Sequence, residues 1–559
     1  MLEGCVDWPA ETAERYRESG LWAGHTLGDE LRRWAAAYQD RTAVVGARHR
    51  LSYGGLDAWV DRVVDGLRAR GIGHGDRVVV QLPNVTEFVV LSFALYRLGA
   101  LPVHALPAHR SSEITHLCAH AEAVAYVVPD QLRGFDYRDL ARQVCDDVPT
   151  LREVFVVGEP GPYTSFDALS EPVAPQQAGP GAGGGDQMET APAHREGLVS
   201  PGTPDASDAA FFLLSGGTTA LPKLIPRTHD DYLYQVRAAS EICAVDEACV
   251  YLAVLPLPFN FTWGCPGVLG VLAAGGTVVL APGTGPEECF ELIEQEGVTL
   301  TSVVPTVAHL WLEGLEWVER DLSTLRTLQI GSAKLHPEVA RRIEPAFGCT
   351  LQQVFGMAEG LLCLTRSTDE PDTVLTTQGR PISPQDELRV VDTGDRPVPP
   401  GVTGELLTRG PYTLRGYYRA PDHNATAFDA DGFYRTGDLV RLTEAGGVVV
   451  EGRAKDVIIR GGDKVSATEV ERHVGAHERV QQAAVVAVPD PVLGERVCVC
   501  VIPDGAPPAL GELKAFLTRR GVADFKLPER LVLVDAFPLT GLGKIDKKKL
   551  RTRAVESGG

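Results

Sequence analysis

The chain has 559 residues and carries 53 Lys and Arg against 74 Asp and Glu, a formal net charge of −21. This length suits three or more modules of ordinary domain size, and 44% hydrophobic with 23% charged residues is typical of a globular enzyme rather than a disordered chain. The acidic balance, without a long Lys/Arg block, argues against a nucleic acid partner, because duplex binding depends on neutralising phosphates.

The first 155 residues alternate helical and strand patterns. Amphipathic periodicity predicts helices over 27–38, 56–70 and 88–98, and apolar runs predict a buried strand over 77–82 and another that opens at Val103. Strands that alternate with helices in this way predict parallel α/β layers.

Residues 158–207 differ, because they are rich in glycine and proline and predict a disordered surface insertion. The α/β alternation resumes with a strand over 209–214 and continues to about residue 385. Short strands with turns over 387–450 then indicate a β-rich subdomain.

The last hundred residues predict a smaller α+β unit. After residue 452 come a strand, helices over 468–477 and 511–520, and a Lys-rich tail in which Lys547–Lys549 are expected to be solvated. The fold class predicted for the whole chain is therefore α/β. A large N-terminal domain combines α/β subdomains with a β-rich subdomain, and a small C-terminal α+β domain follows.

One uncharged stretch, residues 248–286, needs a membrane test. Prolines and glycines interrupt it before about 20 apolar residues accumulate, so it predicts buried strand and helix and no membrane span. The N-terminus shows neither the basic nor the apolar region of a signal peptide. Eleven cysteines without a C-x-x-C pair fit reduced thiols, so a cytoplasmic location is predicted.

The first strong motif follows the predicted strand at 209–214 and reads Ser-Gly-Gly-Thr-Thr-Ala-Leu-Pro-Lys over residues 215–223. Small and hydroxyl residues let backbone N–H groups and side-chain oxygens surround a polyphosphate, and Lys223 adds a positive charge. The spacing is not that of a Walker A loop. Taken alone, the segment could also be a plain turn.

Four further motifs follow in order along the chain. They are Val354-Phe355-Gly356-Met357-Ala358-Glu359, Tyr434-Arg435-Thr436-Gly437-Asp438, Gly452-Arg453-Ala454-Lys455-Asp456 and Gly541-Leu542-Gly543-Lys544. The ordered set resembles the adenylate-forming superfamily of acyl-CoA synthetases, peptide-synthetase adenylation domains and luciferases. The resemblance covers nearly the whole chain.

The resemblance implies an N-terminal domain over 1–452, a hinge over 453–456 that includes Lys455, and a mobile C-terminal domain over 457–559. It also implies two half-reactions. A carboxylate and MgATP first give an acyl-adenylate and pyrophosphate, and a thiol then displaces AMP. Because attack on the α-phosphate builds negative charge, positioned donors and a metal ion must stabilise it.

The same resemblance implies a role for each motif. Glu359 would hold Mg²⁺. Asp438 would accept hydrogen bonds from both ribose hydroxyls, with Arg453 beside it. Lys544 would bridge the ribose and the reacting carboxylate as a cation. The residues that would surround the phosphates and adenine of ATP are Ser215, Gly216, Gly217, Thr218, Thr219, Lys223, Gly331, Ser332, Ala333, Val354, Phe355 and Gly356.

The phosphate loop departs from the family at one position. The family usually has glycine where Ala220 stands, and a positive φ there would cost about 1 kcal/mol for alanine. The methyl group alone is expected to shift ATP affinity without abolishing activity.

Several local runs resemble the free-standing aryl-acid ligases of siderophore and peptide-antibiotic assembly lines. They cover residues 223–232, 351–360 and 409–412. The resemblance puts Phe259, Asn260 and Phe261 in the acid pocket, with Gly331 also against the substrate. Domains that activate amino acids usually place Asp at the position of Asn260. A neutral amide cannot pair a buried ammonium but can hydrogen-bond a carboxylate or a 2-hydroxyl, so an aryl acid is predicted.

Three ring positions refine the choice of acid. Dihydroxybenzoate ligases have Tyr, Ser and Val where this chain has Phe261, Cys265 and Leu362, and salicylate-activating members share the Cys/Leu pair. Salicylate is therefore the predicted substrate, although Cys265 and Leu362 could also be simple core packing. Phe259 replaces a usual His, which leaves hydroxypicolinate, aminobenzoate and benzoate open, and 2,3-dihydroxybenzoate is a further alternative.

The acceptor thiol must come from another molecule, because the chain contains no carrier-protein segment. An aryl carrier protein with a phosphopantetheine arm is predicted, and an aryl-CoA ligase is the alternative. A catalytically silent nucleotide-binding scaffold is the alternative outside enzymes. His116 and His120, four residues apart, could share a helical face as metal ligands, but surface or half-buried histidines without a metal are favoured.

Overall fold

The computed structural model describes residues 2–171, 202–215, 221–460, 463–490, 493–520, 522, 526–541 and 543–557. In these residues the strands are, in chain order, β1 (Thr42–Val45), β2 (Arg50–Ser52), β3 (Arg77–Val80), β4 (Leu101–His104), β5 (Ala125–Pro129), β6 (Gln131–Leu132), β7 (Phe135–Asp136), β8 (Glu153–Val157), β9 (Thr164–Ser165), β10 (Ala209–Leu214), β11 (Leu224–Thr228), β12 (Val250–Ala253), β13 (Thr277–Leu280), β14 (Leu300–Val303), β15 (Thr327–Gly331), β16 (Thr350–Gly356), β17 (Leu362–Leu364), β18 (Arg380–Pro381), β19 (Glu387–Val391), β20 (Gly404–Arg409), β21 (Tyr434–Leu442), β22 (Val448–Arg453), β23 (Val457–Arg460), β24 (Asp463–Ser466), β25 (Val480–Asp490), β26 (Gly494–Pro503) and β27 (Arg530–Leu533).

The α-helices of the described residues are α1 (Ala10–Glu18), α2 (Leu27–Tyr38), α3 (Tyr53–Ala69), α4 (Thr86–Leu98), α5 (Ser111–Ala121), α6 (Tyr137–Asp147), α7 (His229–Ile242), α8 (Asn260–Gly264), α9 (Gly267–Ala273), α10 (Pro286–Glu296), α11 (Pro305–Gly314), α12 (Pro337–Phe347), α13 (Pro371–Thr376), α14 (Pro421–Ala427), α15 (Ala467–Gly475), α16 (Leu510–Arg519) and α17 (Lys547–Glu556). Short 3-10 turns cover Phe166–Leu169 and Ala454–Asp456.

Two large sheets with parallel interiors form the N-terminal part, which confirms the predicted α/β fold. One has the strand order β11-β10-β4-β3-β5-β8-β9, and the other β18-β17-β16-β15-β14-β12-β13-β1-β2. Helix α4 is buried along its whole length, as expected for a helix covered by protein on every side. Strands β19 to β22 form an antiparallel sheet, the predicted β-rich subdomain.

The C-terminal part has its own mixed sheet, ordered β24-β23-β26-β25 with β27 paired to β26. The buried clusters of the described residues divide at the same place. Clusters of the N-terminal part draw on residues between 13 and 448, and those of the C-terminal part on residues between 458 and 554. This separation supports a domain boundary near 452, which stays a prediction.

Several predicted elements have the bounds that the patterns indicated. The predicted helix 27–38 is α2, which starts after the N-cap Thr26, and the predicted strand 209–214 is β10. The helix predicted over 56–70 begins earlier, at Tyr53, because the Ser52 hydroxyl caps it by accepting from the Gly55 N–H. The strand predicted to open at Val103 begins at Leu101.

The predicted disordered insertion is wrong at its N-terminal side. Residues 164–169 form β9 and a 3-10 turn, and the turn buries Phe166 and Leu169. A Cβ at Gly66 would lie 2.1 Å from Leu169 O, so this turn packs directly on α3. Two apolar side chains anchor the turn within a segment of otherwise weak patterning. Residues 172–201 lie outside the described residues.

The Lys-rich tail also differs from its prediction. It forms α17, in which Leu550 and Ala554 are buried, and Lys547 Nζ lies 2.7 Å from Glu471 Oε1. Lys547 is therefore an ion-pair partner and not a solvated charge. The uncharged stretch 248–286 forms β12, α8, α9 and β13, as predicted. Among the described residues, no helix combines the length and apolarity needed to cross a membrane.

Candidate active site

The residues predicted for the adenine and the acid lie near the carboxyl ends of parallel strands in the nine-stranded sheet of the described residues. Gly331 ends β15, Gly356 ends β16, and Phe259 follows β12 by six residues. Ligands of open α/β sheets bind at this edge, because the loops there converge from neighbouring strands. The predicted adenine and acid residues are therefore neighbours.

Two hydrogen bonds close the base of the predicted phosphate loop. The Ser215 N–H donates to Lys223 O (3.0 Å), and the Lys223 N–H donates to Ser215 Oγ (3.0 Å). Lys223 Nζ lies 5.6 Å from the ring centroid of Tyr417. The tip of the loop lies outside the described residues, and this covers Gly216, Gly217, Thr218, Thr219 and Ala220.

Glu359 is held by a pair of tyrosines. The Tyr417 hydroxyl donates to Glu359 Oε1 (2.8 Å), and Tyr434 Oη lies 2.8 Å from Tyr417 Oη. Burial, followed by the charge of Glu359, raises the pKa of Tyr417, so its hydroxyl stays protonated and remains a donor. Tyr417 therefore joins the predicted metal ligand to the Lys223 ammonium.

Gly331 lies between the predicted adenine and acid positions. A Cβ there would be 2.7 Å from Val354 O and 3.1 Å from Phe261 Cε1, so only glycine fits without a shift of the backbone. Ser332 follows with φ +70°, a left-handed conformation that is uncommon for serine. Gly356 is similarly close to Leu362, whose Cδ1 would lie 2.8 Å from a Cβ. Ala333 and Phe355 lie in the same two segments.

Asp438 and Arg453 face each other across the antiparallel pair β21–β22. Arg453 Nε donates to Asp438 Oδ1 at 2.6 Å, and the Asp438 side chain is only 5% exposed. Burial lowers the pKa of Arg453, but the charges of Asp438 and Glu359 outweigh it and raise this pKa above its usual value. The two residues predicted at the ribose thus form one ion pair.

Lys544 reaches the same group from the C-terminal part. Burial, followed by the Arg453 charge, lowers its pKa to about 8, and the charges of Asp438 and Glu359 oppose the decrease. The loop that carries Lys544 turns at Gly543 (φ +75°), and Thr306 Oγ1, just after β14, donates to Gly543 O (3.0 Å). The structure thus brings Lys544 close to Glu359, Asp438 and Arg453.

The acid-pocket residues form one buried cluster. Phe261, Cys265 and Leu362 belong to it, and Phe259 packs against it with its ring centroid 6.4 Å from that of Phe261. Burial raises the pKa of the Cys265 thiol, whose Sγ donates to Asn260 O (3.3 Å). Among the described residues of the predicted pocket, apolar walls thus surround the neutral amide of Asn260.

His116 and His120 are half-buried, as predicted, and their rings stack at 5.4 Å. His116 Nε2 lies 3.2 Å from Pro222 O, and His120 Nε2 lies 3.2 Å from Tyr418 O. Each ring thus contacts a backbone carbonyl, which is the structural role that sequence reasoning favoured. Lys455 lies in the 3-10 turn Ala454–Asp456, and its hinge role stays a prediction.

Several residues at the site had no role in the sequence prediction. Tyr417 and Thr306 fall outside the quoted motifs, so no signal in the sequence marked them. Tyr434 begins one of those motifs, which could have suggested a position near Glu359. Gln235, which lies behind the acid pocket, also had no predicted role. Arg227 appeared only within the run 223–232 that carries the resemblance, with no role of its own.

Comparisons with known proteins agree with this geometry. The family described as AMP-binding enzyme matches residues 31–418, and the AMP-binding enzyme C-terminal domain matches 469–544. The chain belongs to the AMP-binding enzyme family. It is therefore an adenylate-forming ligase, and the silent-scaffold alternative is not supported.

Three relatives match over nearly their full length. The 2,3-dihydroxybenzoate-AMP ligase of Bacillus subtilis is 52% identical, covering 100% of this chain and 98% of the relative. A salicylyl-CoA synthase / salicylate adenylyltransferase of a Streptomyces species is 50% identical (98% and 97%). The salicyl-AMP ligase / salicyl-S-ArCP synthetase of Mycobacterium tuberculosis is 47% identical (98% and 94%). The apo structure of MbtA from Mycobacterium smegmatis superposes with a TM-score of 0.73 at 44% identity, covering 98% of this chain and 99% of that one.

Proposed function

We propose that this ligase activates a salicylate-like aryl acid to its adenylate and transfers the acyl group to the phosphopantetheine thiol of an aryl carrier protein. The observation that carries the proposal is the acid pocket, in which the neutral Asn260 is the polar group among Phe261, Cys265 and Leu362. An α-amino acid would leave its ammonium without a counter-charge there, which is costly in a buried site.

The choice of ring rests on Cys265 and Leu362. The Cys265 thiol donates to Asn260 O, and Leu362 is apolar and 3% exposed. A 3-hydroxyl against these groups would lose a hydrogen-bond partner, a cost of about 1–3 kcal/mol. The names of the relatives include both salicylate and 2,3-dihydroxybenzoate, so identity alone does not decide between the two acids.

The residues present suit MgATP as co-substrate. Glu359 Oε1 already accepts from Tyr417, and its other carboxylate oxygen is suited to a cation. A single protein carboxylate is enough, because Mg²⁺ usually takes its remaining ligands from phosphates and water. Mg²⁺ bound at Glu359 would reduce the negative charge of the triphosphate. Lys223 would add a second positive charge at the phosphate loop.

Adenylation then follows from the arrangement of charges. A carboxylate oxygen of the acid attacks the α-phosphorus, and the bond to pyrophosphate breaks. Lys544, cationic below its pKa of about 8, would hold the attacking carboxylate and the ribose together while charge develops. Asp438 would accept from the ribose hydroxyls, and Arg453 Nε donates to its Oδ1 at 2.6 Å.

In the second half-reaction the acceptor sulfur attacks the acyl carbonyl, and AMP leaves. One relative is named for an aryl carrier protein (ArCP) and another for coenzyme A, so each acceptor has support from a relative. We place the carrier protein first, because the local runs resemble the ligases that load carriers. A cytoplasmic location is part of the proposal, since the eleven cysteines are free thiols.

The proposal is tested by ATP–pyrophosphate exchange across salicylate, 2,3-dihydroxybenzoate, benzoate, aminobenzoate, hydroxypicolinate and amino acids. Salicylate is expected to give the highest kcat/KM. A higher kcat/KM for another aryl acid would leave the proposed reaction intact and would indicate that Phe259 determines the choice of acid. Exchange with amino acids alone would contradict the pocket assignment. Parallel assays with coenzyme A and with a phosphopantetheinylated aryl carrier protein would identify the acceptor.

A further inference from the structure

A buried polar chain lies directly behind the acid pocket. Arg227, at the end of β11, is fully buried, and its Nε donates to Asp231 Oδ1 (2.9 Å). Its NH2 group donates to Gln235 Oε1 (3.1 Å). Gln235, one turn further along α7, is also fully buried and approaches Asn260. The chain thus runs from the carboxylate of Asp231 to the amide of Asn260 in the pocket.

Arg227 fixes the direction in which the hydrogen bonds of this side-chain network run. A guanidinium has only donors, so the Gln235 atom that it contacts must be the carbonyl oxygen. The Gln235 NH2 group then faces the other way, where it donates to Gly264 O (2.9 Å), an atom that can only accept. Both contacts require the same amide orientation, and the reverse orientation would lose both.

The orientation passes from Gln235 to Asn260. Gln235 Nε2 lies 3.4 Å from Asn260 Oδ1, and the Tyr232 hydroxyl donates to the same oxygen at 2.8 Å. On the other side, Asn260 Nδ2 donates to Met357 O (3.3 Å), again an atom that can only accept. Because an amide nitrogen carries two hydrogens, one N–H remains to face the acid.

We propose that Gln235 and Tyr232 are positioning residues that lock the amide of Asn260 with its N–H toward the substrate. The inference rests on the proposed function, since it explains how the pocket presents a donor to an anionic, hydroxylated acid. An inverted amide would present Oδ1 instead, which would repel the acceptor-only carboxylate of the acid. The polarity of the pocket is thus set at Arg227 and not by Asn260 alone.

The test uses purified full-length enzyme, with salicylate and ATP as substrates in the exchange assay. Gln235→Glu keeps the shape but replaces the donor that faces Asn260 Oδ1 by an acceptor. It is expected to lower kcat/KM for salicylate by about tenfold or more, mostly through KM. The reason is that two buried acceptors, the new carboxyl oxygen and Asn260 Oδ1, would then face each other. The KM for ATP should change less than about threefold, since the described side-chain partners of Gln235 all lie outside the phosphate loop.

Tyr232→Phe provides a second variant, should Gln235→Glu fail to fold. It removes one hydroxyl and should lower the same kcat/KM by about threefold. Tyr234→Phe is the matched control, because Tyr234 lies on the same helix and loses an equally buried hydrogen bond, to Ser383 Oγ (2.6 Å). It is expected to leave kcat/KM for salicylate unchanged.

The decisive comparison repeats Gln235→Glu and Tyr232→Phe in an Asn260→Ala background. If these residues act through Asn260, both penalties should shrink to less than about twofold there. Penalties of equal size in both backgrounds would overturn this inference alone and leave the proposed function intact. Absence of exchange with every aryl acid in the wild type would overturn the proposed function and this inference together.

Discussion

Lys544 carries a charge that depends on pH near neutrality. Its pKa lies at about 8, lowered from 10.5 by burial and by Arg453. We expect Lys544→Ala to lower the adenylation rate about 100-fold or more, because a cation is missing where negative charge develops. The variant should unfold at a temperature similar to that of the wild type. ATP–pyrophosphate exchange and thermal unfolding measure the two effects.

The wild type supplies the pH test of the same charge. A lysine is cationic below its pKa, so the adenylation rate should fall as the pH rises through about 8, well below the 10.5 of an unperturbed lysine. Lys548→Ala, an exposed neighbour on α17, is the control and should change neither rate nor pH profile. An exchange rate in Lys544→Ala equal to the wild-type rate would contradict the role of this residue.

Cys265 is the residue on which the choice between two acids depends most. Cys265→Ser would give the 3-hydroxyl of 2,3-dihydroxybenzoate a hydrogen-bond partner. The ratio of kcat/KM for 2,3-dihydroxybenzoate to that for salicylate should therefore rise about tenfold. Cys363→Ser is the control, since Cys363 is equally buried but belongs to the cluster of the β-rich subdomain. An unchanged ratio would reduce Cys265 to core packing.

At the scale of elements, the sequence predicted what depends on local pattern. Helix α2 has an amphipathic repeat with a Thr26 cap, and β10 is a short apolar run, so both were predicted with their bounds. The turn at Phe166–Leu169 was not predicted, because its two buried side chains lie in a segment whose composition resembles a linker. Anchors of this kind depend on a distant partner, here α3.

The candidate site shows the same limit. Motif order pointed to Glu359, Asp438, Arg453 and Lys544, and the structure gathers them around one ion pair. The contact of Tyr417 with Glu359 joins residues 58 positions apart outside any motif, so no sequence pattern marks it. The polarity of Asn260 likewise depends on three buried contacts that only the fold assembles.

At the scale of the whole molecule, the separate cores suggest that the two parts can fold apart. The described contacts between them include three polar ones, which are Thr306 with Gly543, Glu313 with Gln481, and His336 with the backbone of Arg472. Gly541 also lies close to Ala108. Polar contacts of this kind can be exchanged for water at little cost, because each contributes only about 1 kcal/mol. This suits the proposed rotation about residues 453–456.

A fragment over residues 1–456 tests this division, since it keeps Arg453 and the acid pocket but lacks Lys544. We expect it to unfold cooperatively and to bind salicylate, measured by calorimetry, with an affinity close to that of the full chain. Its exchange rate should fall as far as that of full-length Lys544→Ala, because Lys544 is the catalytic group that the C-terminal part supplies to adenylation. If the fragment is unfolded, the domain boundary does not lie near residue 452. A fragment that is folded but much less active than Lys544→Ala would show that the C-terminal part contributes more than this one charge.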